Sequence, residues 1–87
     1  MKVLFHKSAF DDYQQWATSD IAVFKKISVL IIEIVRTPFT GTGKPEPLRG
    51  NLAGFWSRRI TGKHRLVYKV EQDLLIIASC KSHYDDK

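Results

Sequence analysis

Glu46 lies in the run Gly43-Lys44-Pro45-Glu46-Pro47-Leu48-Arg49. A proline follows both Lys44 and Glu46, and the proline ring pushes the residue before it into extended geometry. Glu46 is then a carboxylate on a stiff, preset backbone, with the cations of Lys44 and Arg49 near it in sequence. Such neighbours favour the ionised form, which a general base requires. A solvated loop side chain is the other reading of the same residue. Near the far end of the chain stand His83 and Tyr84. A histidine that titrates around neutrality suits a general acid, and a tyrosine ring can stack on a nucleobase. Arg59 and Arg65 complete the set. Planar guanidinium groups meet phosphate oxygens in bidentate fashion, so two of them on one sheet face suggest a phosphate site. A solvated face carrying surface arginines would leave the same pattern. His6, His64 and His83 show no metal-ligand spacing with Asp, Glu or Cys, and Gly41-Thr42-Gly43-Lys44 lacks the spacing of a phosphate-binding loop. No metal or cofactor is expected.

The elements that must position these groups follow from periodicity. Residues 2–6 alternate as a strand. Ser8 is placed to cap a helix with Asp11 and Asp12 in its first turn and with Ala9, Tyr13 and Trp16 on one face. Asp20 caps a second helix that runs to about Thr37, where Pro38 stops it. Ile21, Phe24, Ile27, Ile31 and Ile34 read as its buried stripe. Val29 and Ile32 are surplus to that stripe and predict a second buried side, for which a homodimer contact is one candidate. A long loop over residues 38–54, rich in Gly and Pro, comes next and suggests function. Three strands over residues 55–60, 64–71 and 74–82 follow, with short links at Thr61-Gly62-Lys63 and Gln72-Asp73, an antiparallel meander. In the middle strand Leu66, Tyr68 and Val70 should face the helices, and Arg65, Val67 and Lys69 the other way. One of Arg58 and Arg59 must approach the core side, with its head expected to snorkel to the edge. The fold class is α+β: one domain over residues 1–87, two helices packed on one face of a mainly antiparallel sheet of about four to five strands.

Composition narrows the function. With 87 residues, 44% hydrophobic and 26% charged, the chain can fold as one domain and is too apolar to be disordered. No apolar run exceeds five residues, which argues against a membrane span. The single cysteine, Cys80, allows no intrachain disulfide, and a cytoplasmic protein is the default expectation. The net charge of +5 is unevenly placed: residues 44–84 hold eight Lys and Arg against three Asp and Glu. Such an imbalance is the footprint of a polyanion partner, or simply of a soluble basic protein.

Several ungapped blocks resemble one family. Arg36-Thr-Pro-Phe-Thr-Gly-Thr-Gly-Lys-Pro-Glu-Pro-Leu48, Gly54-Phe-Trp-Ser-Arg-Arg-Ile60, His64-Arg-Leu-Val-Tyr68 and the terminal Cys80, His83 and Tyr84 are similar to the YoeB toxins of the RelE/ParE superfamily. With Asp11-Asp12-Tyr13 and Trp16, the likeness spans residues 1–84. It implies a RelE-like, microbial-RNase-like fold and a ribosome-dependent endoribonuclease that cuts mRNA in the A site without metal. By position, the resemblance implies that Glu46 takes the 2′-hydroxyl proton and His83 protonates the leaving 5′-oxygen. Arg65 would stabilise the pentavalent phosphorus, Arg59 and Lys44 or Arg49 would assist, and Tyr84 would position the substrate. It also implies a cognate YefM-like antitoxin, acidic and partly disordered, as partner. Two features depart from the family pattern: Arg49 stands where members commonly carry Lys, and Asp85-Asp86-Lys87 extends past the His-Tyr pair. The alternatives are a non-enzymatic, ParE-like gyrase-poisoning toxin, which would not need Glu46, His83 and Tyr84, and a basic nucleic-acid-binding module without chemistry.

Overall fold

In the computed structural model, which describes residues 1–81, one residue joins two helices. The Asp20 N–H donates to Trp16 O at 2.9 Å, closing α1 (Lys7–Ser19). Its carboxylate accepts from Val23 N at 3.3 Å, opening α2 (Ile21–Arg36). An Asp at this position satisfies a backbone donor that the helix itself leaves unpaired. Thr37 ends α2, just before Pro38, as the sequence predicts.

The start of α1 differs from expectation. His6, not Ser8, holds the N-cap position and makes no side-chain bond, and the first turn carries no acidic residue. Asp11 instead pairs with Lys7 one turn earlier, at 2.9 Å. The buried stripe of α2 is also rotated from the predicted one: Val23, Ile27, Leu30 and Ile34 face inward, and Ile21 is exposed. So many apolar residues crowd this helix that two faces satisfy a 3.6 period, and only packing against the sheet chooses between them. Val29 and Ile32 remain 58% and 63% exposed in the single chain, so the second apolar side faces outward.

Five strands form one sheet in the order β1-β5-β4-β3-β2, with β1 at Lys2–Phe5, β2 at Glu46–Pro47, β3 at Trp56–Arg59, β4 at Arg65–Glu71 and β5 at Leu74–Ser79. Among the described residues β1 runs parallel to β5 and every other pairing is antiparallel. The long loop is thus partly structured: it contains β2 and a single 3₁₀ turn, Gly50–Leu52. β5 ends at Ser79, short of residue 82. The helices cover one sheet face, where Leu66, Tyr68, Leu75 and Ile77 are fully buried against Ile27, Leu30 and Ile34. A bulge opposite Val67 and Tyr68 shifts the β5 register by one residue. Its consequence is that Ile77 and Cys80, three apart, both enter this core, which a regular period of two forbids.

Candidate active site

The sheet face turned away from the helices carries three of the predicted residues, Glu46, Arg59 and Arg65. Register places Glu46 opposite Ser57, Ser57 opposite Val67, and Arg59 opposite Arg65. Paired residues share a face, and so do residues two apart on a strand, so Glu46, Arg59 and Arg65 all lie on the side away from the helices, where Ser57 and Val67 between them are buried. The Glu46 row and the arginine row are about 7 Å apart along the strands, and Glu46 and Arg65 are about 12 Å apart between Cα atoms across three strands.

β2 is short because two prolines flank or fill it: neither Pro45 nor Pro47 can donate to the ladder. Leu48 extends the pairing, its N–H donating to Phe55 O at 2.9 Å, and buries its side chain. Glu46, Pro47, Leu48 and Arg49 line a surface cleft of about 490 Å³, which brings Glu46 and Arg49 together. Glu46 nonetheless forms no ion pair among the described residues, so its predicted cationic neighbours do not bind it directly. Lys44 departs from extended geometry. It has φ +52, following Gly43 at φ +83, because the chain must turn here between the Gly43 carbonyl, bonded to Arg59 N at 2.7 Å, and β2. Arg65 is half-buried, and its Nη1 donates to Thr61 O at 3.2 Å, which leaves the rest of the guanidinium without a carboxylate among the described residues. Arg59 is exposed and likewise unpaired by any carboxylate there. Among the described residues, Arg59, Arg65, Lys44 and Arg49 thus carry positive charge that no carboxylate pairs, on the strands and loop that also carry Glu46, an arrangement suited to holding a phosphodiester beside a base. His83 and Tyr84 lie outside the described residues.

Arg58 overturns the snorkelling expectation. It points to the helix side and is fully buried, with no exposure at its head. Its Nε donates to Tyr68 Oη at 3.2 Å and its Nη1 to Glu33 Oε1 at 3.0 Å and Thr42 O at 3.2 Å. Nη2 donates to Thr37 O at 2.8 Å and Thr40 O at 2.9 Å, with Pro38 O at 3.4 Å. Charge is retained in the interior because each guanidinium nitrogen finds an acceptor. Glu33 also accepts from the Thr42 hydroxyl at 2.6 Å and from Thr42 N at 3.2 Å. The Thr42 hydroxyl bond, opposed in part by burial and aided by Arg58, holds the Glu33 carboxyl below its ordinary value of 4.5. Strand alternation signalled an inward arginine. Glu33, the one acid in α2, is the sequence signal for its partner.

A family model of YoeB-like toxins of bacterial type II toxin–antitoxin systems matches residues 5–84. Toxin YoeB of Escherichia coli K12 is 55% identical over 84 residues, spanning 97% of this chain and 100% of that protein. The solved YoeB/ParE toxin from Agrobacterium tumefaciens superposes with a TM-score of 0.94 at 48% identity, over 97% of this chain and 100% of that one. A heterotetrameric YoeB–YefM toxin–antitoxin complex from Staphylococcus aureus gives 0.89 at 45% identity, over 97% of this chain and 98% of that one. A YoeB dimer from the same organism gives 0.90 at 45%, with the same coverage.

Proposed function

The chain belongs to the YoeB-like toxins of bacterial type II toxin–antitoxin systems, and from that membership we propose that it is a ribosome-dependent endoribonuclease acting on mRNA in the A site. The observation that carries the reading is the shared sheet face away from the helices: Glu46 on β2, two residues along the ladder from the opposed Arg59–Arg65 pair. Glu46 removes the proton of an RNA 2′-hydroxyl, whose oxygen attacks the adjacent phosphorus. Arg65, assisted by Arg59, Lys44 and Arg49, stabilises the charge that gathers on the phosphoryl oxygens. His83 donates a proton to the departing 5′-oxygen, leaving a 2′,3′-cyclic phosphate and a 5′-hydroxyl, and Tyr84 positions the nucleotide. DNA lacks the nucleophile and is not cut. Acid–base groups contribute about 10²–10⁴-fold each, and a fixed donor at the developing charge about 3–4 kcal/mol.

A chain of this size has little surface with which to impose geometry on RNA, so the ribosome supplies it. Placement at the ribosome implies the cytoplasm. A YefM-like antitoxin, acidic and partly disordered, is the partner that matches the positive face, and the outward Val29 and Ile32 support a homodimer. In the test, mRNA is incubated with ribosomes and protein and its ends are mapped by primer extension. Codon-phased cuts are expected, lost in Glu46→Ala and His83→Ala. Absence of ribosome-dependent cleavage by folded wild-type protein overturns the proposal, and intact cleavage by both variants overturns the assignment of roles.

A further inference from the structure

Three consecutive residues of β3 hold the segment that carries Glu46. Ser57 pairs with Glu46 across the ladder. The Arg59 N–H donates to Gly43 O at 2.7 Å. Between them the Arg58 side chain, on the opposite face, binds the carbonyls of Thr37, Thr40 and Thr42, with Pro38 at its limit of reach. Those carbonyls trace the turn from the end of α2 to Gly43. Tyr68 reinforces the same turn by donating from its hydroxyl to Pro38 O at 2.7 Å while accepting from Arg58 Nε. Glu33 closes the ring by accepting from both Arg58 and Thr42.

Stability alone does not account for a buried guanidinium here. Replacing a buried ion pair by well-packed apolar side chains is often neutral or stabilising. What an apolar side chain cannot do is fix several carbonyls of an irregular turn in one geometry. β2 needs such outside support, since its flanking and internal prolines remove ladder donors and leave two residues of strand to define where Glu46 stands.

We infer that Arg58 is a positioning residue for the cleavage reaction: by clamping the turn over residues 37–42 it sets where Glu46 lies on the opposite sheet face. The inference rests on the role proposed for Glu46. Arg58 touches no substrate; it acts through Gly43 and the β2 segment.

The experiment compares wild type, Arg58→Lys, Tyr68→Phe and Glu46→Ala. Three quantities are read for each: the single-turnover cleavage rate per folded molecule on programmed ribosomes, the affinity for those ribosomes, and hydrogen exchange at the Arg59 amide against that at Val70. Arg58→Lys keeps the charge and loses the fork. It is expected to cleave about 10²-fold more slowly, the scale of a 1 Å misplacement, with ribosome affinity unchanged and faster exchange at Arg59 but not at Val70. Tyr68→Phe, which keeps Arg58 itself, should move in the same direction by less, and it carries the test if the lysine variant does not fold. Wild-type cleavage in the folded Arg58 or Tyr68 variants overturns the inference, as does unchanged exchange at Arg59. Wild-type cleavage in Glu46→Ala instead overturns the role of Glu46, and the positioning role with it, so the two failures carry different signatures.

Discussion

Arg59 and Arg65 stand directly opposite each other on β3 and β4, like charges in register with no carboxylate bound to either among the described residues. Directly opposed like charges destabilise a sheet, so the pair is a cost to folding that a bound phosphate would relieve. Arg59→Gln should therefore raise stability by a few tenths of a kcal/mol at low salt, the scale of an exposed charge pair, while weakening the proposed RNA cleavage. Urea denaturation at two salt concentrations checks the first part, and the gain should shrink at high salt. A loss of stability would mean that the arginine packs more than it repels.

Two glycines of the loop should respond differently to alanine. Gly41 has φ +129, and an added Cβ would lie 2.7 Å from Glu33 Oε2 and 2.9 Å from Arg58 Nη1, so Gly41→Ala strains the backbone and splits the buried network. Gly50 has φ +63, and among the described residues no atom beyond its own chain neighbours lies within 4 Å of an added Cβ. Its alanine variant bears only the left-handed backbone penalty, about 1 kcal/mol. Gly41→Ala should cost about 2–4 kcal/mol, in the range for broken buried networks and strain. Denaturant midpoints of the two variants, measured side by side, decide the ordering.

Much of this architecture is legible before folding, for local reasons. Asp20 and Pro38 bound α2 by capping and sterics alone, and alternation in β4 separates Leu66 and Tyr68 from Arg65 and Val67. What escaped is what depends on distant partners. β2 is too short and too rich in proline to alternate, so its pairing with Ser57 and Trp56 has no local signature. The inward side of α2 is decided by the sheet, not by its own period. Arg58 reads as an edge residue until the carbonyls of Thr37, Thr40 and Thr42 are known to converge on it. The same holds for the site: Glu46, Arg59 and Arg65 are legible as residue types, and their common face is legible only through the register.

Glu33 ties the buried network to acid stability. Its carboxyl is held below 4.5, first by the Thr42 hydroxyl and further by Thr42 N and Arg58, against an opposing effect of burial. The ionised form is the one the folded state favours. Its contribution is therefore fully present above pH 4.5 and is lost as pH falls through the depressed value. Wild type should lose stability below pH 4.5 more steeply than Glu33→Gln, whose amide does not titrate. Urea midpoints measured from pH 7 to pH 3 give the comparison, and parallel curves would remove Glu33 from the acid transition.

Cys80 should shape the alkaline side. It is fully buried in the core, its thiol donates to Ala9 O at 3.4 Å, and burial first, then the charge of Asp12, pushes its pKa up from 9.0 to about 12 against a smaller opposing effect of Lys81. The folded state thus favours the protonated thiol. The corresponding stability is complete below pH 9.0 and is lost as pH rises towards 12. Tyr68 shifts the same way, raised from 10.0 chiefly by burial and opposed by Arg58, so its loss begins about one pH unit later. Cys80→Ala should therefore lower stability at neutral pH, by opening a small cavity, and yet flatten the decline between pH 9 and pH 10 while leaving the steeper fall above pH 10. The thiol itself should react with iodoacetamide at pH 8 only as fast as the core opens, since its thiolate fraction there is about 10³-fold smaller than that of a free cysteine. Alkylation followed by mass spectrometry, with and without urea, reads this directly, and rapid labelling of the native protein would contradict the buried placement of Cys80.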